Sequence, residues 1–167
     1  TSASYSNNSG SQNWAAAWQE IGESDGVSAG QARVNSSNCS SGNCLRIGTP
    51  GGVLLQYTDR GASREVDLSG ASSATLSFNY FTGFGGGTAD VSLEVSNDGG
   101  ANWTRLQNYI INSTSFTANP ESFDLTPYIA VNTQIRFIGS GSSGSRTGMY
   151  IDDINIDYEQ CAQLVTS

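Results

Sequence analysis

The most regular pattern in the chain is the alternation of apolar and polar residues in Asp90-Val91-Ser92-Leu93-Glu94-Val95-Ser96-Asn97. A period of two is that of a β-strand, whose successive side chains point to opposite faces. The three apolar side chains are therefore predicted to face inward and the polar ones between them outward. Asp98-Gly99-Gly100 follows as a hairpin signal, and the next strand is predicted over residues 103–110. This stretch predicts two antiparallel strands joined by a tight turn.

The same period recurs on both sides of this hairpin. Residues 74–81 place Leu76, Phe78 and Tyr80 on one face. Further strands are predicted over residues 32–34, 44–47, 53–57, 134–138 and 150–158. Residues 14–20 have some helical propensity, and their two Trp side chains fit either a short helix or an irregular strand. About eight or nine strands with polar turns between them predict an all-β fold, a jelly-roll β-sandwich of two antiparallel sheets.

The length of the chain suits one domain with a hydrophobic core. No long linker interrupts the predicted strands, so we expect a single module over residues 1–167, with its core at about 5–158 and flexible, Ser-rich ends. No apolar run approaches the roughly 20 residues that a membrane-spanning helix needs, which excludes membrane insertion by a helix.

The charge balance restricts the partners. There are 15 acidic residues against 7 basic ones, all Arg, for a net charge of −8. Such a surface repels a phosphate backbone, so nucleic acid is not an expected partner. His is absent, which removes Ser-His-Asp and Cys-His catalysis and the common zinc sites. A carboxylate pair for glycosidic cleavage stays open on composition, but no acid stands in a constellation of its own, and the sequence predicts a protein that is not an enzyme.

Two of the three cysteines are close in sequence. Cys39 and Cys44 flank Ser-Ser-Gly-Asn, a turn-forming segment that can bring the two sulfur atoms within bonding range. We predict a disulfide, and hence an oxidising, extracellular or cell-surface location. The alternative is a pair of reduced thiols in a loop. Cys161 is left over as a buried apolar side chain, a free thiol or half of an intermolecular bond.

The closing strand contains the clearest candidate for a metal ligand. Strict alternation over residues 150–158 places Asp152 on the same, inward face as Ile154 and Ile156. A carboxylate in that position is unfavourable unless a cation or several hydrogen-bond donors satisfy it. Ca²⁺ takes six to eight oxygen ligands and suits such a group. The alternative is an Asp that accepts backbone N–H groups at a strand end.

Further oxygen ligands are expected from the segment 20–26. It carries Glu20, Glu23 and Asp25 and ends in an Asp-Gly turn. The sequence thus predicts a structural calcium ion held by Asp152 together with Glu20, Glu23 and Asp25, which would tie the N-terminal segment to the closing strand. The alternative is a solvated acidic loop.

Three stretches carry a resemblance to a known family. They are residues 13–26, residues 66–78 and Tyr150-Ile151-Asp152-Asp153-Ile154. Together they resemble the secreted bacterial jelly-roll modules related to MAM (meprin-like) domains, and the closing strand is similar to that of calcium-stabilised carbohydrate-binding modules. The resemblance spans the chain from about Tyr5 to Tyr158. It implies that Asp152, as the first Asp of the closing motif, ligates a structural calcium. MAM domains usually have more than three cysteines, so their disulfide pattern is not implied.

A second resemblance is local. Ser96-Asn97-Asp98-Gly99-Gly100-Ala101-Asn102-Trp103 resembles the Asp-box hairpin of sialidase propellers. Because the motif occurs once, it does not indicate a propeller. We expect a structural turn in which Asp98 binds turn amides and Trp103 packs under the hairpin.

The function classes follow from these features. Sugar binding needs aromatic platforms with Asn, Gln and Arg side chains. The sequence offers Tyr57, Tyr80, Trp103 and Tyr109, with Arg60, Arg64 and Arg105 nearby, but alternation predicts that most of the rings are core, so the ligand-binding residues stay unassigned.

The predicted function is a non-catalytic, secreted carbohydrate-binding or adhesion module that calcium stabilises, with a glycan or an extracellular protein as its partner. One alternative is a structural or protein-interaction subunit of an extracellular fibre, matrix or adhesin, self-associating through its termini or Cys161. The other is an accessory domain of a larger secreted hydrolase.

Overall fold

Eleven strands and one 3₁₀ turn make up the part of the chain that the computed structural model describes, residues 3–6, 14–49, 55–56, 58–143 and 147–160. The strands are β1 (Gln19–Ile21), β2 (Ala32–Asn35), β3 (Cys44–Gly48), β4 (Leu55–Gln56), β5 (Arg60–Val66), β6 (Ala71–Gly83), β7 (Gly87–Ser96), β8 (Thr104–Ile111), β9 (Ser115–Asp124), β10 (Thr133–Ser143) and β11 (Gly148–Gln160). The 3₁₀ turn is Thr126–Tyr128. Within these ranges, no helix is long and apolar enough to cross a membrane.

The strands form two antiparallel sheets. Sheet 1 has the order β1-β5-β10-β7-β8, and β4 pairs with the far end of β10. Sheet 2 has the order β2-β3-β11-β6-β9. The predicted all-β jelly-roll sandwich of two antiparallel sheets is confirmed. The single module over residues 1–167 stays a prediction, because the two ends of the chain lie outside the described residues.

The core lies between the inner faces of the two sheets. Sheet 1 contributes alternate residues of β7 and β10, and sheet 2 contributes alternate residues of β3, β6 and β11. The predicted inward positions of β7, Val91, Leu93 and Val95, are fully buried. Each large side chain buried in this way stabilises the fold by roughly 1.5–3 kcal/mol. The period-two pattern therefore identified the inner face of β7 correctly.

The sequence pattern did not predict β5 or β9, and each omission has a physical reason. β5 directs Ala62, Arg64 and Val66 toward the core side, so small and charged residues interrupt its apolar face. β9 is an edge strand, mostly exposed, and it contains Pro120. Proline is tolerated on edge strands, where its missing N–H breaks no ladder.

The N-terminal segment is an irregular strand and not a helix. Trp14 forms an isolated antiparallel bridge with Val66, and β1 pairs with β5 from Gln19 onward. The Trp14 and Trp18 rings both lie in the core, with their centroids 6.2 Å apart. Of the two alternatives that the sequence left for this segment, the structure selects the strand.

The hairpin between β7 and β8 has the predicted local structure. The Asp98 carboxylate accepts the Asn102 backbone N–H at 2.9 Å and its side-chain amide at 2.7 Å. The Ser96 hydroxyl accepts the Gly100 N–H at 2.9 Å. Gly99 and Gly100 both have positive φ, at 72° and 90°, which glycine adopts without steric cost.

A bulge in β11 changes which face its residues occupy. The pairing of β11 with β6 shifts between Asp152 and Asn155, where Asp153 has a φ of 53°. Met149 and Ile151 face the core before the bulge, and Ile156 does so after it. An extra residue in one strand reverses the alternation beyond it. The prediction that Asp152 shares the inward face with Ile154 and Ile156 is therefore wrong, since Asp152 lies on the outer face beside Tyr150.

Candidate functional site

A row of side chains crosses the outer face of sheet 2. Arg33 of β2 pairs with Arg46 of β3, Arg46 with Tyr150 of β11, and Tyr150 with Phe81 of β6. The chain neighbours of these residues, such as Ile47 and Met149, point into the core, so the row itself points away from it. Two guanidinium groups and two aromatic rings thus share one surface.

An open groove of about 570 Å³ runs along this surface. Two exposed rings lie at its border. Phe84 is 39% exposed and Phe116 is 72% exposed. Exposed phenyl rings of this kind are candidates for ligand contact. We call this feature the arginine groove; its lining residues are Arg33, Asn35, Ser37, Asn38, Arg46, Gly83, Phe84, Thr114, Phe116 and Tyr150.

Hydrogen bonds fix the wall that carries the two phenyl rings. The Thr82 hydroxyl donates to the Ser113 carbonyl at 2.8 Å and accepts the Ser115 N–H at 3.1 Å. The Phe84 N–H donates to the Thr114 hydroxyl at 3.0 Å. These bonds connect the end of β6, which precedes Phe84, to residues 113–115, which precede Phe116 in β9, so the backbone next to each ring is anchored.

The opposite wall is the loop between β2 and β3. A disulfide joins Cys39 to Cys44, as predicted, and their Cα atoms are 5.6 Å apart. Cys44 packs with Phe81 and Tyr150 in a small cluster outside the main core, and Cys39 contacts it. The Asn35 amide donates to the Ser37 hydroxyl at 2.9 Å. The loop is thereby held against the floor of the arginine groove.

Arg46 forms part of that floor. Its side chain is buried, donates to the Thr49 carbonyl, and places its guanidinium 5.3 Å from the centroid of the Tyr150 ring. Stacking on an aromatic ring orients a guanidinium and stabilises it. Rings with adjacent Arg and Asn donors are the groups that recognise the apolar face and the hydroxyls of a sugar.

Asp152 is satisfied by backbone donors. One carboxylate oxygen accepts the N–H groups of Ser40 and Ser41, at 2.7 and 3.3 Å, and the other accepts that of Asp153 at 2.9 Å. The side chain thus anchors the disulfide loop to β11. This is the alternative that the sequence left open, an Asp that accepts backbone N–H groups.

The three acids of the N-terminal segment form a separate acidic corner, composed of Glu20, Glu23 and Asp25. The Glu23 carboxylate accepts the N–H groups of Gln31 and Ala32 at 2.9 and 2.5 Å. Burial raises the pKa of Glu23, and the nearby Asp25 and Glu20 charges raise it further. Glu20 accepts the Tyr5 hydroxyl at 2.9 Å, and burial together with this bond raises the pKa of Tyr5.

The predicted calcium ligands do not converge in this arrangement. Within the described ranges, no three acidic, Cys or His side chains are grouped so that they could hold a metal ion. The four residues as placed therefore do not make a coordination sphere by their side chains alone, and calcium binding stays a prediction.

Three of the aromatic residues that the sequence offers for sugar binding lie outside the arginine groove. Tyr80 and Tyr109 pack together with a centroid distance of 4.9 Å and line a polar cavity of about 360 Å³ between β8 and β9. Burial raises the pKa of Tyr109. The Arg136 guanidinium covers the Trp103 ring at 4.1 Å. Tyr57 lies outside the described residues.

The three arginines that the sequence offers together with these rings also lie outside the arginine groove. Arg64 stacks on Trp14 and donates to the Ala16 carbonyl at 2.9 Å, and burial lowers its pKa to about 10. Arg105 pairs with Glu94 at 3.5 Å on the outer face of sheet 1. Arg60 is the first residue of β5.

The residues of the arginine groove were missed by sequence reasoning. Arg33, Arg46 and Tyr150 come from three strands that lie far apart in sequence and meet only through pairing in sheet 2. One local signal existed. Arg46 stands between Leu45 and Ile47, so alternation already placed it on the outer face.

Comparison with known proteins shows likeness in structure alone. No protein-family model matches the chain, and no curated protein matches it significantly. Among solved structures, the chain is similar to the carbohydrate-binding module TmCBM61, solved in complex with β-1,4-galactotriose, with a TM-score of 0.55 and 16% identity over 85% of this chain and 88% of that one.

Two further structures have similar scores. The xylan-binding module CBM15 has a TM-score of 0.54 and 14% identity over 90% of this chain and 95% of its own. The K3 cleaved adhesin domain of Lys-gingipain from Porphyromonas gingivalis W83 has a TM-score of 0.54 and 14% identity over 83% and 90%. At these identities the likeness is one of fold. The chain has the jelly-roll fold of carbohydrate-binding modules.

Proposed function

We propose that the protein is a non-catalytic carbohydrate-binding module that holds a glycan chain in the arginine groove. The observation that carries the proposal is the pair of exposed rings, Phe84 and Phe116, beside the polar side chains of Arg33 and Asn38 in one groove of suitable size. An exposed ring covers the apolar face of a sugar, and the polar side chains satisfy its hydroxyls. The likeness in fold to carbohydrate-binding modules supports a carbohydrate as the ligand.

The proposal is tested by binding measurements on a panel of soluble polysaccharides, with affinity electrophoresis and calorimetry. Phe116→Ala should weaken binding by about 1–1.5 kcal/mol, or roughly fivefold to tenfold in Kd, because the sugar loses its apolar platform. Ile110→Ala is the matched control, since Ile110 is similarly exposed, at 66%, but lies on sheet 1. Equal binding by the two variants, or no binding to any glycan by the unaltered protein, would refute the proposal.

A secreted or cell-surface location belongs to the same proposal. The Cys39–Cys44 disulfide supports it, because such bonds persist in oxidising compartments and are rare in the cytosol. Glycans accessible to a binding module are abundant outside the cell. In this setting the module could act alone or be the accessory domain of a larger secreted hydrolase.

We also propose that a calcium ion stabilises the fold by binding at the acidic corner. The charges of Asp25 and Glu20 repel that of Glu23, since both contribute to the raised pKa of Glu23. A divalent ion would relieve this repulsion and stabilise the folded state by mass action. Backbone carbonyls and water would have to supply the remaining oxygen ligands. Three backbone N–H groups already stabilise the Asp152 carboxylate, so an ion would stabilise it less.

A second candidate function is adhesion to an extracellular protein. It is favoured by the likeness to the adhesin domain and by the exposure of Phe116. A protein partner would use the same rings, as hot spots of an interface. The polysaccharide panel separates the two candidates, because only the carbohydrate-binding module should bind purified glycans. Cys161 and both ends of the chain lie outside the described residues, so self-association through them stays a prediction, as does the relation to MAM domains.

A further inference from the structure

The charges of the arginine groove are unusual for this chain. Arg33 and Arg46 lie directly opposite each other on neighbouring strands, an arrangement in which like charges repel. None of the described residues lining the groove is acidic. The whole chain, by contrast, has 15 acidic residues and only 7 basic ones. Two of the few positive charges are thus concentrated in one groove of an acidic protein.

We propose that the arginine groove selects glycans that carry carboxylate groups, that is, polysaccharides containing uronic acids. This inference rests on the proposed function and adds the class of glycan. The guanidinium group presents a planar fork of donors that matches a carboxylate with two parallel hydrogen bonds. A bound carboxylate would also relieve the repulsion between the two arginines, which supplies a reason for their pairing.

The two arginines have different roles in this arrangement. Arg46 is only 4% exposed, and its contacts with Thr49 and the Tyr150 ring hold it in the floor. Arg33 is partly exposed on the edge strand β2. Among the described residues, no carboxylate lies within ion-pair distance of Arg33. Arg33 is therefore the side chain that can close on the carboxylate of a ligand.

On β11, the outer-face residues next to Tyr150 include Asp152 and Asp153, and neither of them lines the arginine groove. Asp152 directs both of its carboxylate oxygens to backbone N–H groups, two of which belong to the disulfide loop. Asp153 accepts the Asn79 amide at 3.0 Å. The net charge of −8 repels a polyanion at long range, so recognition must come from the short-range fork and not from a general positive surface.

The test uses polygalacturonate and the same polymer after carboxyl reduction, so that the two probes differ only in carrying a carboxylate or a hydroxymethyl group on each sugar. At about 0.15 M NaCl, where the Debye length is about 8 Å and the repulsion between the net charge and the polyanion is largely screened, the unaltered protein should bind the acidic form roughly fivefold to tenfold more tightly. At about 20 mM NaCl the repulsion acts over a longer range, so the preference should be smaller.

Arg33→Gln should abolish the preference for the acidic polymer, while Arg33→Lys, which keeps the charge without the fork, should restore part of it. Arg105→Gln is the matched control, because it removes the same charge from the other sheet, at a side chain that is 62% exposed. Arg46→Gln is less suitable as a test of charge recognition, since it removes a buried side chain. Thermal unfolding of each variant verifies that it is folded.

The outcomes separate this inference from the proposed function. A preference that Arg33→Gln removes and Arg105→Gln leaves intact supports both. Equal binding of the acidic and reduced polymers, still weakened by Phe116→Ala, overturns the uronate inference and keeps the carbohydrate-binding module. A preference that persists unchanged in Arg33→Gln overturns the role of the groove in charge recognition. Absence of binding to every glycan tested overturns both.

Discussion

At the scale of single residues, aspartates that accept hydrogen bonds from turns contribute to the response of the protein to acid. Asp98 accepts three hydrogen bonds, from Ser96 and from the backbone and side chain of Asn102, and these bonds lower its pKa to about 2 from an ordinary value of 3.8. Asp67 and Asp124 accept similar bonds from Ser69 and Thr126, which also lower the pKa of each. A lowered pKa means that the folded state prefers the ionised carboxylate.

The sign of the pH dependence follows from this preference. Because the pKa of Asp98 is lower in the folded state, its stabilising contribution is fully present above about pH 4 and is lost as the pH falls toward 2. We therefore expect Asp98→Asn to be less stable than the unaltered protein at pH 7, with a difference that shrinks between pH 4 and 2. Denaturant unfolding at a series of pH values measures this.

Asn102→Ala provides the matched control for this prediction. It leaves the carboxylate in place but removes the side-chain donor that lies 2.7 Å from it. The pH dependence of its unfolding free energy should lie between those of the unaltered protein and Asp98→Asn. A stability difference that stays constant down to pH 2 would contradict the assignment.

At the scale of elements, the loop between β2 and β3 is held by covalent and polar links together. The disulfide closes the loop, and Asp152 of β11 binds its Ser40 and Ser41 amides. The bulge at Asp153 makes this possible, since it allows Asp152 and Tyr150 to face outward while Ile156 faces the core. The same loop forms one wall of the arginine groove, so the local links also shape the binding surface.

Removal of the disulfide should therefore weaken both stability and binding. The double variant Cys39→Ser, Cys44→Ser should lose about 2 kcal/mol of unfolding free energy, as estimated for closing a loop of this short length. Its affinity for a bound glycan should also fall, because the wall is then free to move. Urea unfolding and calorimetry measure the two effects.

The control is the unaltered protein with and without a reducing agent. Reduction should reproduce the loss seen in the double variant, and the variant itself should be insensitive to the reducing agent. A double variant with unchanged stability and affinity would show that the hydrogen bonds to Asp152 hold the loop without the disulfide.

At the scale of the whole molecule, the charge is concentrated unevenly. The acidic corner lies at the N-terminal segment, while Arg33 and Arg46 share a groove on sheet 2. A net charge of −8 keeps the chain soluble but opposes its compact state. A cation at the acidic corner would reduce this repulsion, so the calcium proposal concerns the stability of the entire fold.

The calcium proposal predicts a change in thermal unfolding. Calcium at about 100 times its Kd should stabilise the fold by about 2.7 kcal/mol, which raises Tm by roughly 5–10 °C for a chain of this size, and a chelator should reverse the shift. Glu23→Gln with Asp25→Asn should abolish the response. Asp152→Asn should lower Tm but keep the response, because its carboxylate binds amides. An unchanged transition on chelation would remove the calcium proposal.

The sequence by itself determined the fold class, the inner faces of β6 and β7, the disulfide and the hairpin at Asp98. Each depends on local periodicity, on turn residues or on two cysteines close in sequence, so few residues suffice to specify it. Only the tertiary structure decided the face of Asp152 and the position of the arginine groove. A one-residue bulge reversed the alternation in β11, and Arg33, Arg46 and Tyr150 meet through strand pairings between distant segments. Pairing order and bulges arise from the packing of the whole sandwich, and no local pattern encodes them.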